Sequence, residues 1–330
     1  MYESQALMTM ERYDEALLAC DRLAALEDPP FVLAADCRCS AYADRDRLPE
    51  AKLRCGEALV AAEQRFGKGT ASTYFELANV GIVMRKSGDN AAALGYRRQA
   101  LAVLAMSHGP DSPQVAREHY GISLIHTDLG NYAEAKRELE IALAVFSRAH
   151  IKKSIGLCHL QLATVRGALG ELEEAADEAA VAVHTLADAL GDHSTVAIAI
   201  LTQGEAELAA KRFDAALATF IRGGELAEKL GAQKLVFGAQ LIDRARALLA
   251  LGRAKEALPF AERGAAIIEA DKSDPRYGAF AHATVGRVKV ALGDRVAGRA
   301  ELVIARDAFR AITVGATAKS DLADVERELQ

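Results

Sequence analysis

Tryptophan is absent from the 330 residues and aromatic residues make up only 5% of them, although 51% are hydrophobic. Apolar content with so few rings means mainly alanine and leucine, which suits packed helices better than a sheet core of aromatic and β-branched faces. No run of about 18 apolar residues occurs, so a membrane-spanning helix is not expected. Met1 to Met10 lacks the basic start and apolar centre of a secretion signal. A basic excess is missing too: 40 Lys and Arg against 46 Asp and Glu leave a formal charge of −6, which argues against a nucleic-acid surface. The cysteines, at 20, 37, 39, 55 and 158, are odd in number and suggest no disulfide framework. The expected setting is therefore the cytoplasm.

Motifs of catalysis are missing as well. The sequence contains no G-x-S-x-G, H-E-x-x-H or C-x-x-C. Gly67-Lys68-Gly69-Thr70 falls short of a phosphate loop, because Ala62 stands where that loop needs glycine and Gly69, not Ser or Thr, follows Lys68. His119 and His159 share a register position and Ser123 lies one helical turn from His119, but no carboxylate completes a triad, so structural histidines are expected. Cys20, Cys37, Cys39 and Cys55 could approach one another as a metal cluster; the preferred reading makes them small buried hydrophobes. No catalytic residue, cofactor or metal is assigned.

What the chain does contain is a repeat. Glu11, Asp46, Gly88, Gly130, Gly170, Lys211, Gly252 and Gly293 mark turns, and after a first interval of 35 residues they stand 40 to 42 apart. Seven residues before each turn the side chain is always small: Ser4, Cys39, Gly81, Ser123, Ala163, Gly204, Ala245 and Gly286. Five residues after it come Ala16, Ala51, Ala93, Ala135, Ala175, Ala216, Ala257 and Gly298. A third small position falls twelve after the turn, with Leu23 the exception. Such spacing serves two antiparallel helices whose backbones approach closely and then stack on the next pair. A large side chain there would overpack the contact and cost roughly 1 to 3 kcal/mol.

Gly130-Asn131-Tyr132-Ala133-Glu134-Ala135, with Gly81, Ala93 and Ala100 at the small positions, resembles the inter-helix turn and packing residues of the tetratricopeptide repeat family. The resemblance covers nearly the whole chain. The common unit has about 34 residues; the longer units here resemble kinesin-light-chain-like repeats and the helical tails of some bacterial signalling proteins, including serine/threonine kinases. It implies an all-α fold, a right-handed α-solenoid or superhelix of about eight helical hairpins over residues 1–315. The first hairpin is incomplete: either the chain is cut from a longer protein or Met1 to Met10 is a short natural cap, and the cut is preferred because Leu7, Met8 and Met10 look like residues that expect a neighbour. Over residues 316–330, Leu322, Val325 and Leu329 fall on one side of a helix otherwise charged, which suits a cap on the end of the stack.

First helices line the concave side in this family, which directs attention to the positions nine and six residues before each turn. In the early units these include Asn79, Ile82 and Leu124, of which Ile82 and Leu124 make the early groove apolar. In the later ones they are Gln161, Thr164, Thr202, Glu205, Asp243, Arg246, Thr284 and Arg287, polar and of mixed charge. The paired Lys and Asn clamp by which some members hold a peptide carboxylate is not reproduced. The resemblance implies a non-enzymatic scaffold that holds a protein or peptide in this groove, with neither nucleic acid nor membrane as partner. The alternative is the regulatory or sensor arm of a larger bacterial signalling protein, a kinase or ATPase, whose catalytic domain lies outside this chain.

Overall fold

The computed structural model of the protein describes residues 13–24, 32–45, 47–231, 234–271, 275–312 and 316–330. The expected turns at Glu11 and Asp46 and the residues Leu7, Met8 and Met10 lie outside them. Among the described residues there are sixteen α-helices and no strand. They fall into two compact units, residues 1–149 and 150–330. The first holds α1 (Tyr13–Ala24), α2 (Val32–Asp44), α3 (Leu48–Phe66), α4 (Tyr74–Lys86), α5 (Asn90–His108), α6 (Pro113–Asp128) and α7 (Tyr132–Arg148). The second holds α8 (Lys152–Leu169), α9 (Leu172–Leu190), α10 (Ser194–Ala209), α11 (Phe213–Lys229), α12 (Lys234–Ala250), α13 (Ala254–Asp271), α14 (Pro275–Ala291), α15 (Arg295–Ala311) and α16 (Ala316–Leu329).

Among the described residues, six hairpin turns are each closed by one left-handed residue. Gly88, Gly130, Gly170, Gly252 and Gly293 have φ of 80°, 74°, 82°, 73° and 93°, and Lys211 takes the same role at 61°. The residue after each donates its N–H to the carbonyl five positions back, as Asn131 does to His126 and Arg212 to Glu207, both at 2.8 Å. This is the Schellman arrangement, which satisfies the loose carbonyls of the first helix and reverses the chain. Glycine is favoured because it reaches φ > 0 without a Cβ clash. The register read from the sequence is thus a register of backbone conformation.

The small positions are where the helices meet. Ala16, Ala51, Ala93, Ala135, Ala175, Ala216 and Ala257 are all at most 1% exposed. At Gly204 an added Cβ would lie 2.3 Å from Cε1 of Phe220, and at Gly298 it would lie 2.8 Å from the carbonyl oxygen of Gly286. Close approach lets each first helix touch the first helix of the next hairpin: α2 meets α4 and α4 meets α6 in the first unit, and α8, α10, α12 and α14 form the corresponding row in the second. At the end of the second unit α16 buries Val325 against Ala279, Ala283, Leu302, Ala305 and Phe309 of α14 and α15, with Leu322 and Leu329 beside it. Its acidic outer face pairs with them as well, through Arg287–Glu328 and Arg310–Glu326.

The cysteines depart from expectation. Cys20 of α1 is bonded to Cys37 of α2, and Cys39 of α2 to Cys55 of α3, with Cα atoms 5.6 and 4.8 Å apart. Residues two apart on a helix point about 200° from each other, so one α2 cysteine faces the helix before and the other the helix after. The odd count concealed two pairs and a fifth cysteine, Cys158, which is free and buried, its thiol pushed up to about 12 by burial. Among the described residues no helix is long and apolar enough to cross a membrane.

Candidate functional site: two cavities on the first-helix rows

In the first unit, Asn79 and Ile82 of α4 and Leu124 of α6 line one cavity of about 370 Å³ together with Tyr74, Phe75 and Tyr120. Gly81 and Gly121 determine its floor. A Cβ on Gly121 would stand 2.8 Å from the guanidinium carbon of Arg97, and one on Gly81 would stand 3.0 Å from its Cγ, so the two glycines admit the Arg97 side chain from α5. There Arg97 Nη1 lies 2.7 Å from Glu118 Oε2, both side chains nearly buried. Charge-assisted bonding of this kind is strong and fixes the arginine under the apolar wall. Asn79 is partly engaged, donating from Nδ2 to Asp36 Oδ1. Glu76, on the same helix, is 6% exposed; burial first, and the nearby Asp36 charge second, push its carboxyl up to about 7, and its Oε2 has no hydrogen-bond partner.

In the second unit, Glu205, Asp243 and Arg246 converge on a cavity of about 420 Å³. Three successive first helices supply its walls: α10 with Glu205 and Leu208, α12 with Ala239, Ile242, Asp243 and Arg246, and α14 with Arg276, Tyr277 and Phe280. Phe309 of α15 and Asp321 of α16 close it. Asp243 is 3% exposed and accepts from Arg246 Nη1 at 2.5 Å. The Arg246 guanidinium carbon sits 5.9 Å from the centre of the Phe280 ring, which in turn meets Phe309 edge-on at 5.4 Å.

Burial raises the Glu205 carboxyl to about 8, with the Asp243 charge adding to it and Arg246 opposing. Asp243 and Asp321 are also raised by burial, each held back by Arg246. Arg246 itself, though burial disfavours its charge, is raised by Asp243 and then by Glu205 and Asp321. The Arg246 guanidinium thus stands among three carboxyls, with Arg276 also on the cavity wall.

The other expected groove residues line neither cavity. Thr164 and Thr202 donate their hydroxyls to carbonyls one turn back in their own helices, at Leu160 and Ile198. Thr284 is 1% exposed and does the same toward Phe280, so it belongs to the packing and not to a surface. Arg287 is held by Glu328 of α16 at 2.9 Å. Gln161 is half-buried on α8. Sequence reasoning missed Arg97, which reaches the cavity from a second helix, and Asp321, which comes from the final helix and so follows no repeat register. Tyr277 and Phe280 were legible only as an aromatic pair in a ring-poor chain.

Three of the histidines recur in one bracing role. His119, His159 and His282 stand at one register position and place Nδ1 at 2.5, 2.6 and 2.8 Å from Glu138, Glu178 and Glu301, each 19 residues later on the following helix. They brace the two helices of a hairpin. Among the described residues no group of three or more His, Cys, Asp or Glu side chains is placed to hold a metal ion.

A sequence model of the tetratricopeptide repeat matches residues 75–147. No curated protein sequence matches the chain. Its fold resembles that of the apo quorum sensor NprR from B. thuringiensis, with a TM-score of 0.60 at 14% identity over 100% of this chain and 99% of that one. It also resembles a Rap protein complexed with competence and sporulation factor, with a TM-score of 0.64 at 13% identity over 99% and 97% of the two chains. A putative kinesin light chain of nearly identical TPR-like repeats from Podosopora anserina gives a TM-score of 0.54 at 19% identity over 62% and 98%. Residues 75–147 are matched by the family's own pattern, and the same turn, small positions and hairpin spacing recur through both units, so the fold of the chain is that of tetratricopeptide-repeat proteins.

Proposed function

We propose that the protein is a non-enzymatic scaffold that holds a protein or peptide segment against the first-helix faces of its units. The observation that carries this reading is that each unit has a cavity at the same register of its first helices, with apolar walls and a few placed charged groups, the composition expected of a recognition site. The fold shared with a Rap protein complexed with competence and sporulation factor supports it. Capture from a peptide array is the test. Ile82→Arg with Leu124→Arg in the first unit, or Leu208→Arg in the second, should lower capture while the helical circular dichroism is kept; capture unchanged by all three substitutions sinks the proposal.

The second reading, a regulatory arm of a larger bacterial signalling protein, draws on the fold shared with the quorum sensor NprR along its full length. Nucleotide turnover by this chain alone contradicts both. Both readings set the protein in the cytoplasm, where the Cys20–Cys37 and Cys39–Cys55 pairs would meet a reducing pool.

A further inference from the structure

The cavity of the second unit carries more information than a generic groove. Glu205 lines it and makes no hydrogen bond or ion pair, and Asp321 Oδ2, shut off from water, has no hydrogen-bond partner. Asp243 spends one oxygen on Arg246, and Asp321 feels the charges of Arg246 and, beyond it, Arg287. Arg276 stands at the exposed rim, with an interaction of its own. Uncompensated carboxylates in a partly desolvated site are costly, and a second cation relieves that cost directly. Tyr277 and Phe280 add ring faces, and a cation near a ring face is attracted by its quadrupole. An anion would meet the carboxyls of Glu205 on α10 and Asp321 on α16, whereas on α12 the charge of Asp243 is already matched by Arg246.

We propose that this cavity is the specificity subsite of the scaffold and takes a cationic group on an apolar stem, an arginine or lysine side chain or the amino terminus of the bound peptide. The proposal rests on the scaffold reading. The guest cation sits between Glu205 and Asp321, its stem against Leu208, Ile242 and Tyr277, while Arg246 stays with Asp243. Binding also expels a proton, because the unoccupied site holds Glu205 mostly protonated at neutral pH and the guest favours its ionised form. Burial sets this titration first, then Asp243 and Arg246 from α12; Arg276 and Tyr277 from α14 and Asp321 from α16 face the same cavity.

The test uses the full chain and three random hexapeptide pools, read by fluorescence anisotropy: N-acetylated with one fixed arginine, N-acetylated with citrulline in its place, and free-amine with neither Arg nor Lys. Citrulline keeps the shape of arginine and loses its charge. The arginine pool is expected to bind at least tenfold more tightly than the citrulline pool, and about tenfold more weakly at pH 6.5 than at pH 8.5. Glu205→Gln with Asp321→Asn should erase the arginine preference at a melting temperature no lower than that of the wild type. A free-amine pool that binds through the same two residues assigns the amino terminus as a source of the cation. Equal binding of the arginine and citrulline pools, with no gain from a free amine, overturns the cation subsite while the scaffold reading stands. No binding of any pool overturns both.

Discussion

Gly204→Ala and Gly224→Ala change the same atoms on the two helices of one hairpin, α10 and α11, yet the structure gives them opposite signs. A Cβ at Gly224 would meet nothing within 4 Å. There the substitution removes only the conformational freedom of glycine in a helix interior, which stabilises by roughly 0.5 to 1 kcal/mol. At Gly204 the same gain is opposed by Phe220, whose Cε1, Cδ1 and Cζ would stand 2.3, 2.7 and 2.7 Å from the new atom. Phe220 is 1% exposed. It must shift by about 1 Å to restore contact distance, and overpacking of this kind costs roughly 1 to 3 kcal/mol.

The two variants should therefore differ by about 1 to 3 kcal/mol, Gly224→Ala melting above the wild type and Gly204→Ala below it. At about 2 to 4 °C per kcal/mol for a body of this size, calorimetry resolves the difference. A third variant isolates the cause. In a Phe220→Leu background the ring atoms are gone, and the penalty at position 204 should shrink by about 1 kcal/mol or more, the coupling expected of residues in contact. A Gly204→Ala protein as stable as Gly224→Ala would refute the claim that the small positions are set by close approach between paired helices.

Further outcomes follow from the turns, the buried acids and the cysteines. Lys211→Gly should raise the stability by about 1 kcal/mol in urea titration, since Lys211 holds φ of 61°, a conformation that costs a side-chain-bearing residue roughly that much. For Glu76 the folded value near 7 lies above the unfolded one, so its contribution is fully present below pH 4.5 and is lost as pH rises toward 7. Glu76→Gln should therefore be neutral at pH 4.5 and stabilise by on the order of 2 kcal/mol at pH 8, with equal effects at both pH values excluding burial as the cause. Alkylation of the unfolded, unreduced protein should label one cysteine, Cys158, and reduction should release four more and lower the melting temperature; five labels without reductant would contradict both pairs. The same alkylation on acid-quenched cells tests the cytoplasmic setting, which predicts that all five cysteines are labelled there.

The hairpin plan was legible because it is written in residue size. A glycine with φ near 80° and an alanine with no exposed surface each leave a mark that recurs every 40 to 42 positions, and no partner elsewhere in the sequence is needed to read it. Glu205, Asp243 and Arg246 were legible for the same reason, being first-helix positions in register. The disulfides were not. Their recognition requires knowing that two cysteines a single residue apart face opposite neighbours, and the count alone points the other way.

What the repeat cannot specify is the chemistry that breaks its symmetry. Asp321 lies in the last helix, beyond the last turn, and Arg97 enters from a second helix through the gap left by Gly81 and Gly121. In both cavities the register supplies the walls and part of the charge, and a side chain from another element completes it. A stacked array can therefore change partner without changing fold, by altering residues that its own periodicity leaves free. Asp321→Asn is the single substitution that separates these two layers of the design: it leaves every turn and every small position untouched, and it removes one of the three carboxyls that surround Arg246.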